Sequence, residues 1–431
     1  MPEPPVQQLI SLGDSSGTRR SDRGAERRVV LAGIVGAAGF VAAAALLWLS
    51  RPGGGIWMPL HVVLAGGASL AIGALLPHFS VSLAASRPAP ARWRYAGLGL
   101  LGFGSLAAVA GFDAEAPAMA VAGGTAFLAG LLVTLATALL PLRAGVGRRP
   151  GVIEVGYAVA LVNAVAAVCI AALRLGGLVG PAGEWLALKP AHAWLNLLGF
   201  LSLVVATTLI HLYPTVLGAR IRPSTALLVL VIGIGLGAPL VALGYALGND
   251  SLVRLGAVAV SAGALALTLV ALRAWPGRGR WTTDPAWHRL TIGHLSAGIG
   301  WLLIGSGVLT VGALAHGADP GGWSINGLVG PLIVGWTLQV LVGSWSHLLP
   351  AVGPGGPDRH AVQRRELGRW SIVRLLAWNL GAALISVDAL RGGWPGVAGA
   401  VLLAGALLVS LTLLLRALLT RGLAASGALH A

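Results

Sequence analysis

Residues 190–214 read PAHAWLNLLGFLSLVVATTLIHLYP, an apolar run without a charged residue and with a histidine towards each end, His192 and His211. A helix needs roughly 20 apolar residues to cross the hydrocarbon of a bilayer, so this stretch is long enough to span it. An ionisable side chain inside such a segment is expensive and calls for a reason. Neutral imidazole supplies one: it is the commonest protein ligand for transition metals and haem iron, and it brings no charge into lipid when so used.

Eleven further segments qualify by the same length rule. With the first they fall at about 29–49, 57–83, 95–112, 116–140, 152–175, 190–214, 224–247, 252–275, 287–314, 325–350, 370–390 and 394–419. Composition agrees, since 56% of residues are hydrophobic, 10% are charged and the mean hydropathy is +0.84, values outside the range of soluble domains. The expected fold is an all-α polytopic membrane bundle of twelve helices, occupying 29–419. Residues 1–28, polar and rich in arginine (Arg19, Arg20, Arg23, Arg27, Arg28), read as a disordered cytoplasmic tail rather than a cleaved signal peptide. Residues 420–431 form a short C-terminal tail.

The net charge of +15 resides in short connections between apolar runs, which excludes nucleic acid as the partner and makes the arginines topology signals. Arg87, Arg92 and Arg94 follow span 2; Arg143, Arg148 and Arg149 follow span 4; Arg220 and Arg222 follow span 6. The alternation continues with Arg273, Arg278 and Arg280, then with Arg359, Arg364, Arg365 and Arg369. The intervening connections are poor in arginine, so both termini are expected in the cytoplasm. The bias towards Ala, Gly, Leu, Val and Arg suggests a bacterial source, and hence a multi-pass protein of the cytoplasmic membrane. Trp57, Trp275, Trp287, Trp370 and Trp394, at span ends, read as interfacial anchors. The lone Cys169 excludes a disulfide framework, covalent haem attachment through paired cysteines and iron–sulfur clusters.

Topology gives each histidine a depth. His61 and His192 fall near the outer face, and His78, His211, His294 and His347 in an inner layer. At about 1.5 Å per residue the two layers stand roughly 25 to 29 Å apart on straight helices, the arrangement of two cofactors stacked across a membrane. Uniform helices would leave the two histidines of one span near 100° apart rather than in line. The inner histidines share a proline signature, in Pro77-His78, His211-Leu212-Tyr213-Pro214 and His347-Leu348-Leu349-Pro350, which hints at internal duplication but does not extend into an alignable repeat. A single bilayer histidine equally suits a hydrogen-bonded packing role, and His61, His192 and His288 near an interface can be solvated. Asn163, Asn196, Gln339 and Asn379 read as interhelical hydrogen-bonding residues. Phosphate-binding loops, nucleophile elbows and zinc-protease motifs are absent, and acids sit at span ends, which argues against nucleotide-driven transport, familiar hydrolases and a proton pump.

The run HAWLNLLG from His192 to Gly199 with His211-Leu212-Tyr213-Pro214-Thr215, and the run WTLQVLVG from Trp336 to Gly343 with His347-Leu348-Leu349-Pro350, resemble a known membrane region. It occurs in actinobacteria, alone or fused ahead of a multicopper-oxidase or copper nitrite-reductase-like domain. With histidines on spans 2, 6, 9 and 10 the chain also distantly resembles haem-copper oxidase subunit I and the NnrS family. The resemblance implies haem and copper binding through His78, His211, His294 and His347. The His-Pro-Glu-Val-Tyr, His-His and His-x-His motifs of true oxidases are missing, which puts oxygen reduction in doubt. The leading expectation is a membrane redox protein with b-type haem and copper as a further metal, an oxidoreductase or electron-transfer component, with the inner four as metal ligands and His61 and His192 as additional cofactor ligands. It would serve electron transfer or nitrogen-oxide or oxygen-related chemistry, with a periplasmic multicopper oxidase or other redox protein as partner. The alternatives are a metal-ion transporter and a non-catalytic membrane subunit of a periplasmic copper oxidase.

Overall fold

The computed structural model describes residues 11–50, 55–144, 151–180, 183–220, 224–284, 288–352, 356–391 and 394–419. Among them there is no strand, and twelve helices are long and apolar enough to cross a membrane. These are span 1 (Gly24–Ser50), span 2 (Trp57–Ala84), span 3 (Ala91–Asp113), span 4 (Pro117–Ala144), span 5 (Gly151–Leu175), span 6 (Glu184–Leu217), span 7 (Thr225–Leu247), span 8 (Asp250–Gly277), span 9 (His288–His316), span 10 (Asn326–Pro350), span 11 (Ser371–Ala389) and span 12 (Pro395–Leu419). The chain is an all-α polytopic bundle.

Two starts differ most from expectation. The helix containing span 1 begins at Ser11, inside the stretch expected as a disordered tail. No proline interrupts it, and once the apolar span has nucleated a helix, extension adds a hydrogen bond per residue. Residues 1–10 and 420–431 lie outside the described residues. Span 6 starts at Glu184 rather than Pro190: an acid in the first turn suits the helix dipole, and Pro190 is carried inside the helix.

Hydropathy does not distinguish the spans, but burial does. In spans 2, 6 and 10 between 72% and 78% of the apolar window is buried, against 28–56% in the other nine. These three are the inner wall, and each contains a π-helical segment, Val62–Ala68, Leu195–Ser202 and Val329–Leu338 respectively. Each segment is marked by a hydroxyl that reaches five residues back along its own helix: Ser69 to the Leu64 carbonyl (3.2 Å), Ser202 to Leu197 (2.6 Å) and Thr337 to Leu332 (2.8 Å). Ordinary α-helical turns here bind four residues back, as Thr134 does to Gly130 and Ser80 to Leu76. A widened turn loosens backbone carbonyls, which lipid cannot satisfy. Neighbouring side chains do so instead. Asn163 of span 5 donates to the Gly199 carbonyl (3.1 Å), and Trp378 of span 11 donates to that of Val334 (3.0 Å). The uniform 100° per residue assumed for spans 2 and 6 therefore does not hold across these segments.

The inner spans fall four apart, and the packing repeats with that period. Spans 1, 5 and 9 each lie against the inner span that follows, while spans 3 and 4, 7 and 8, and 11 and 12 form close antiparallel pairs. Each pair crosses at glycine. A methyl group on Gly104 would fall 2.9 Å from the Gly123 carbonyl oxygen, one on Gly237 2.8 Å from that of Gly256, and one on Gly381 3.0 Å from that of Gly399. Small residues let backbones touch, which is how helices associate where lipid removes the hydrophobic drive. The proline signature thus recurs on the inner span of each of three four-helix stretches whose neighbours pack in the same order.

Candidate cofactor cavity

A cavity of about 570 Å³ opens between spans 2 to 6 and the start of span 10. Its lining includes the starts of spans 2, 4, 6 and 10 and the ends of spans 3 and 5, so it lies towards the arginine-poor side. Apolar side chains such as Leu60, Leu64, Phe127 and Phe200 form most of the wall. His61 and His192 line it together.

Both histidines stand where an α-helical start gives way to a π-segment: His61 directly precedes Val62, and His192 lies three residues before Leu195. Each is fixed by a backbone carbonyl. The Nδ1 of His61 is 2.7 Å from the Trp57 oxygen, and that of His192 is 2.9 Å from the Ala167 oxygen on span 5. A carbonyl only accepts, so Nδ1 carries the proton in each ring and Nε2 keeps its lone pair. The two imidazoles are nearly parallel, at 14°, with centroids 6.4 Å apart. Asn196 donates to the His192 carbonyl (2.9 Å) and stands 3.4 Å from both ring nitrogens. Aromatic rings extend the pair on either side: Trp57 lies 4.6 Å from both His61 and Phe112, and Trp185 lies 6.3 Å from His192. Trp57 thus lines the site, whereas Trp275 and Trp370 are exposed. Trp287 and the side chain of Trp394 lie outside the described residues.

The inner histidines are distributed differently. His78 pairs through Nδ1 with Glu26 (3.1 Å), which also pairs with the buried Arg94, and Arg94 donates to the Ala74 carbonyl (2.9 Å). His211 meets Phe79 edge-on at 5.3 Å. His294 is wholly buried, edge-on to Trp378 at 5.6 Å, and both its ring nitrogens lack a hydrogen-bond partner among the described residues. His347 lies within electrostatic reach of His288 and Arg364. Among the described residues no three His, Cys, Asp or Glu side chains are arranged to hold a metal ion, so the inner four do not form one centre. His316 packs on Gly322 outside the cavity.

No family model matches the chain, and no curated protein sequence matches it.

Of the amides, Asn163 and Asn379 make the interhelical bonds expected of them, Asn379 accepting from Trp301 (2.8 Å). Asn196 serves its own helix, and the buried Gln339 carboxamide finds no partner among the described residues. Glu26 and Arg94 were missed as a pair, one read as tail and the other as a topology signal. Below the cavity, a pocket of about 60 Å³ lies between the three inner spans, lined by Ala68, Phe79, Val340 and others. Leu201 borders both spaces.

Proposed function

We propose that this chain is a haem-binding electron-transfer protein of the bacterial cytoplasmic membrane, in which His61 and His192 would hold one b-type haem. The observation that carries the reading is the ring pair. Two imidazoles that hold one metal ion between them, each nitrogen about 2 Å from it and each ring centre about 1.1 Å beyond, have centroids up to roughly 6.2 Å apart. The pair here is nearly parallel at 6.4 Å, in a cavity of a size and apolarity suited to a porphyrin. The carbonyl partners of Nδ1 are the outer-shell support that metal-bound histidine usually has. Bound there, haem would supply a one-electron couple for electron transfer.

The proposal moves the emphasis from the inner histidines to the outer pair. Copper has less support, since no three-ligand set is assembled among the described residues. A transporter needs polar stations for a bare ion, and an apolar cavity holding two histidines suits a bulky flat ligand better. The redox partner, a periplasmic multicopper oxidase or similar protein in this reading, would approach the arginine-poor side.

Absorption spectroscopy and iron analysis of the detergent-purified protein, as isolated and after addition of haem, test the reading. A low-spin Soret band with stoichiometric iron, lost in His61→Ala and in His192→Ala and kept in His294→Ala, is expected. Absence of the band in the wild type after haem addition, or its survival in both outer variants, would overturn it.

A further inference from the structure

The arginine-poor side carries three cations whose side chains are described: Arg174, Lys189 and Arg254. Arg254 is accounted for. It pairs with Asp250 (3.3 Å) and donates to the Ala313 carbonyl (3.4 Å). Arg174 and Lys189, the latter the only lysine in the chain, have no ion pair or hydrogen bond among the described residues. Both line the cavity, and no Asp or Glu does. Two departures from the charge rule that orients the protein thus coincide with one cavity.

Their places in the helices are specific. Lys189 precedes His192 by one helical turn, and Arg174 follows Ala167, the carbonyl partner of His192, by two turns. Spans 5 and 6 run in opposite directions, so both steps lead from the imidazole towards the mouth. At about 1.5 Å per residue the cations stand roughly 4.5 Å and 10.5 Å above the level of the ligand pair, on the two helices that the His192 bond joins. Asn196 and Trp185 continue the stripe along span 6.

We infer that Arg174 and Lys189 are a carboxylate-receiving pair for the ligand of this cavity, holding acid groups at the mouth while its apolar body lies against His61 and His192. The inference rests on the haem reading and adds the orientation of the ligand: a planar apolar body with carboxylates along one edge, directed towards the arginine-poor side. Charge-assisted hydrogen bonds to carboxylate are about twice as strong as neutral ones; Arg174 is half-buried and Lys189 is exposed at the mouth.

The test compares iron protoporphyrin IX with its dimethyl ester, which has the same ring and no carboxylates. Affinities for both are read from Soret titrations of the wild type, Arg174→Gln/Lys189→Gln and Lys189→Arg. The wild type is expected to prefer the free acid by about tenfold or more, the double variant to lose that preference while binding the ester like the wild type, and Lys189→Arg to retain it. Equal weakening of both porphyrins in the double variant, or no change in either, overturns the inference and leaves the haem reading standing. Binding of neither porphyrin by the wild type removes both.

Discussion

The Nδ1 of His192 on span 6 lies 2.9 Å from the carbonyl oxygen of Ala167 on span 5, so the ring that faces His61 is oriented by a neighbouring helix and not by its own. His61 differs, since its partner Trp57 is one turn back on the same span. Movement of span 5 against span 6 would therefore turn one imidazole and leave the other in place.

This makes Asn163 a remote control of the site. Its amide joins span 5 to the Gly199 carbonyl of span 6 at 3.1 Å and to the Gly235 carbonyl of span 7 at 3.3 Å. Asn163→Leu leaves both carbonyls unserved and is expected to cost about 1–2 kcal/mol of stability, read as a lower melting temperature in detergent. In the haem-loaded protein the same variant should weaken haem retention more than Asn379→Leu does. Equal retention in the two variants would count against coupling through the span 5 and 6 contact.

Direct removal of a ligand should be more severe. His61→Ala and His192→Ala are each expected to lower haem affinity at least roughly tenfold, the scale on which even outer-shell partners of a metal ligand act. His294→Phe should leave the Soret band in place, because His294 is wholly buried beside Trp378, away from the cavity lining.

The antiparallel pairs give a steric prediction. A methyl group on Gly256 would fall 2.6 Å from the Gly237 carbonyl oxygen, whereas Gly124 has open space around it. Gly256→Leu should destabilise the bundle by at least about 2 kcal/mol, and Gly124→Ala should be silent in the same melting experiment.

At the arginine-rich end the buried Arg94 pairs with Glu26, which is partly buried and also bonded to His78. Breaking the pair from one side strands a charge, so Glu26→Leu is expected to cost about 3–5 kcal/mol. Glu26→Leu with Arg94→Leu should cost less than the single change, because neither charge is then left buried alone. A double variant as unstable as the sum of the two singles would show that the pair is not coupled.

The twelve spans were legible because length and hydropathy suffice for membrane crossing, and the alternation of arginines orders their ends. Which spans form the inner wall was not legible, since a helix facing lipid and one facing other helices are equally apolar. Span 7, for instance, has a mean hydropathy of 2.6 and yet lies outside span 6, at 2.0. The histidines of the cavity were visible as residues, but their proximity was not. It depends on how spans 2 and 6 pack, and the π-segments that follow both residues are equally beyond a uniform helical wheel, although Ser69, Ser202 and Thr337, each nine or ten residues before His78, His211 and His347, are their trace in the chain. Glu26 was hidden because an acid among arginines reads as solvated tail. Only the continuation of the first helix brings it to Arg94.

The residues immediately before the three marking hydroxyls are Ala68, Leu201 and Trp336, equivalent positions on the three inner spans. Ala68 leaves room and borders the small pocket, Leu201 separates that pocket from the large cavity, and Trp336 fills its surroundings and bonds through Nε1 to Ser202 at 2.9 Å. Of the three, Leu201 is the one that borders the large cavity, so bulk added there, as in Leu201→Trp, is a route to narrowing that space without altering the backbone.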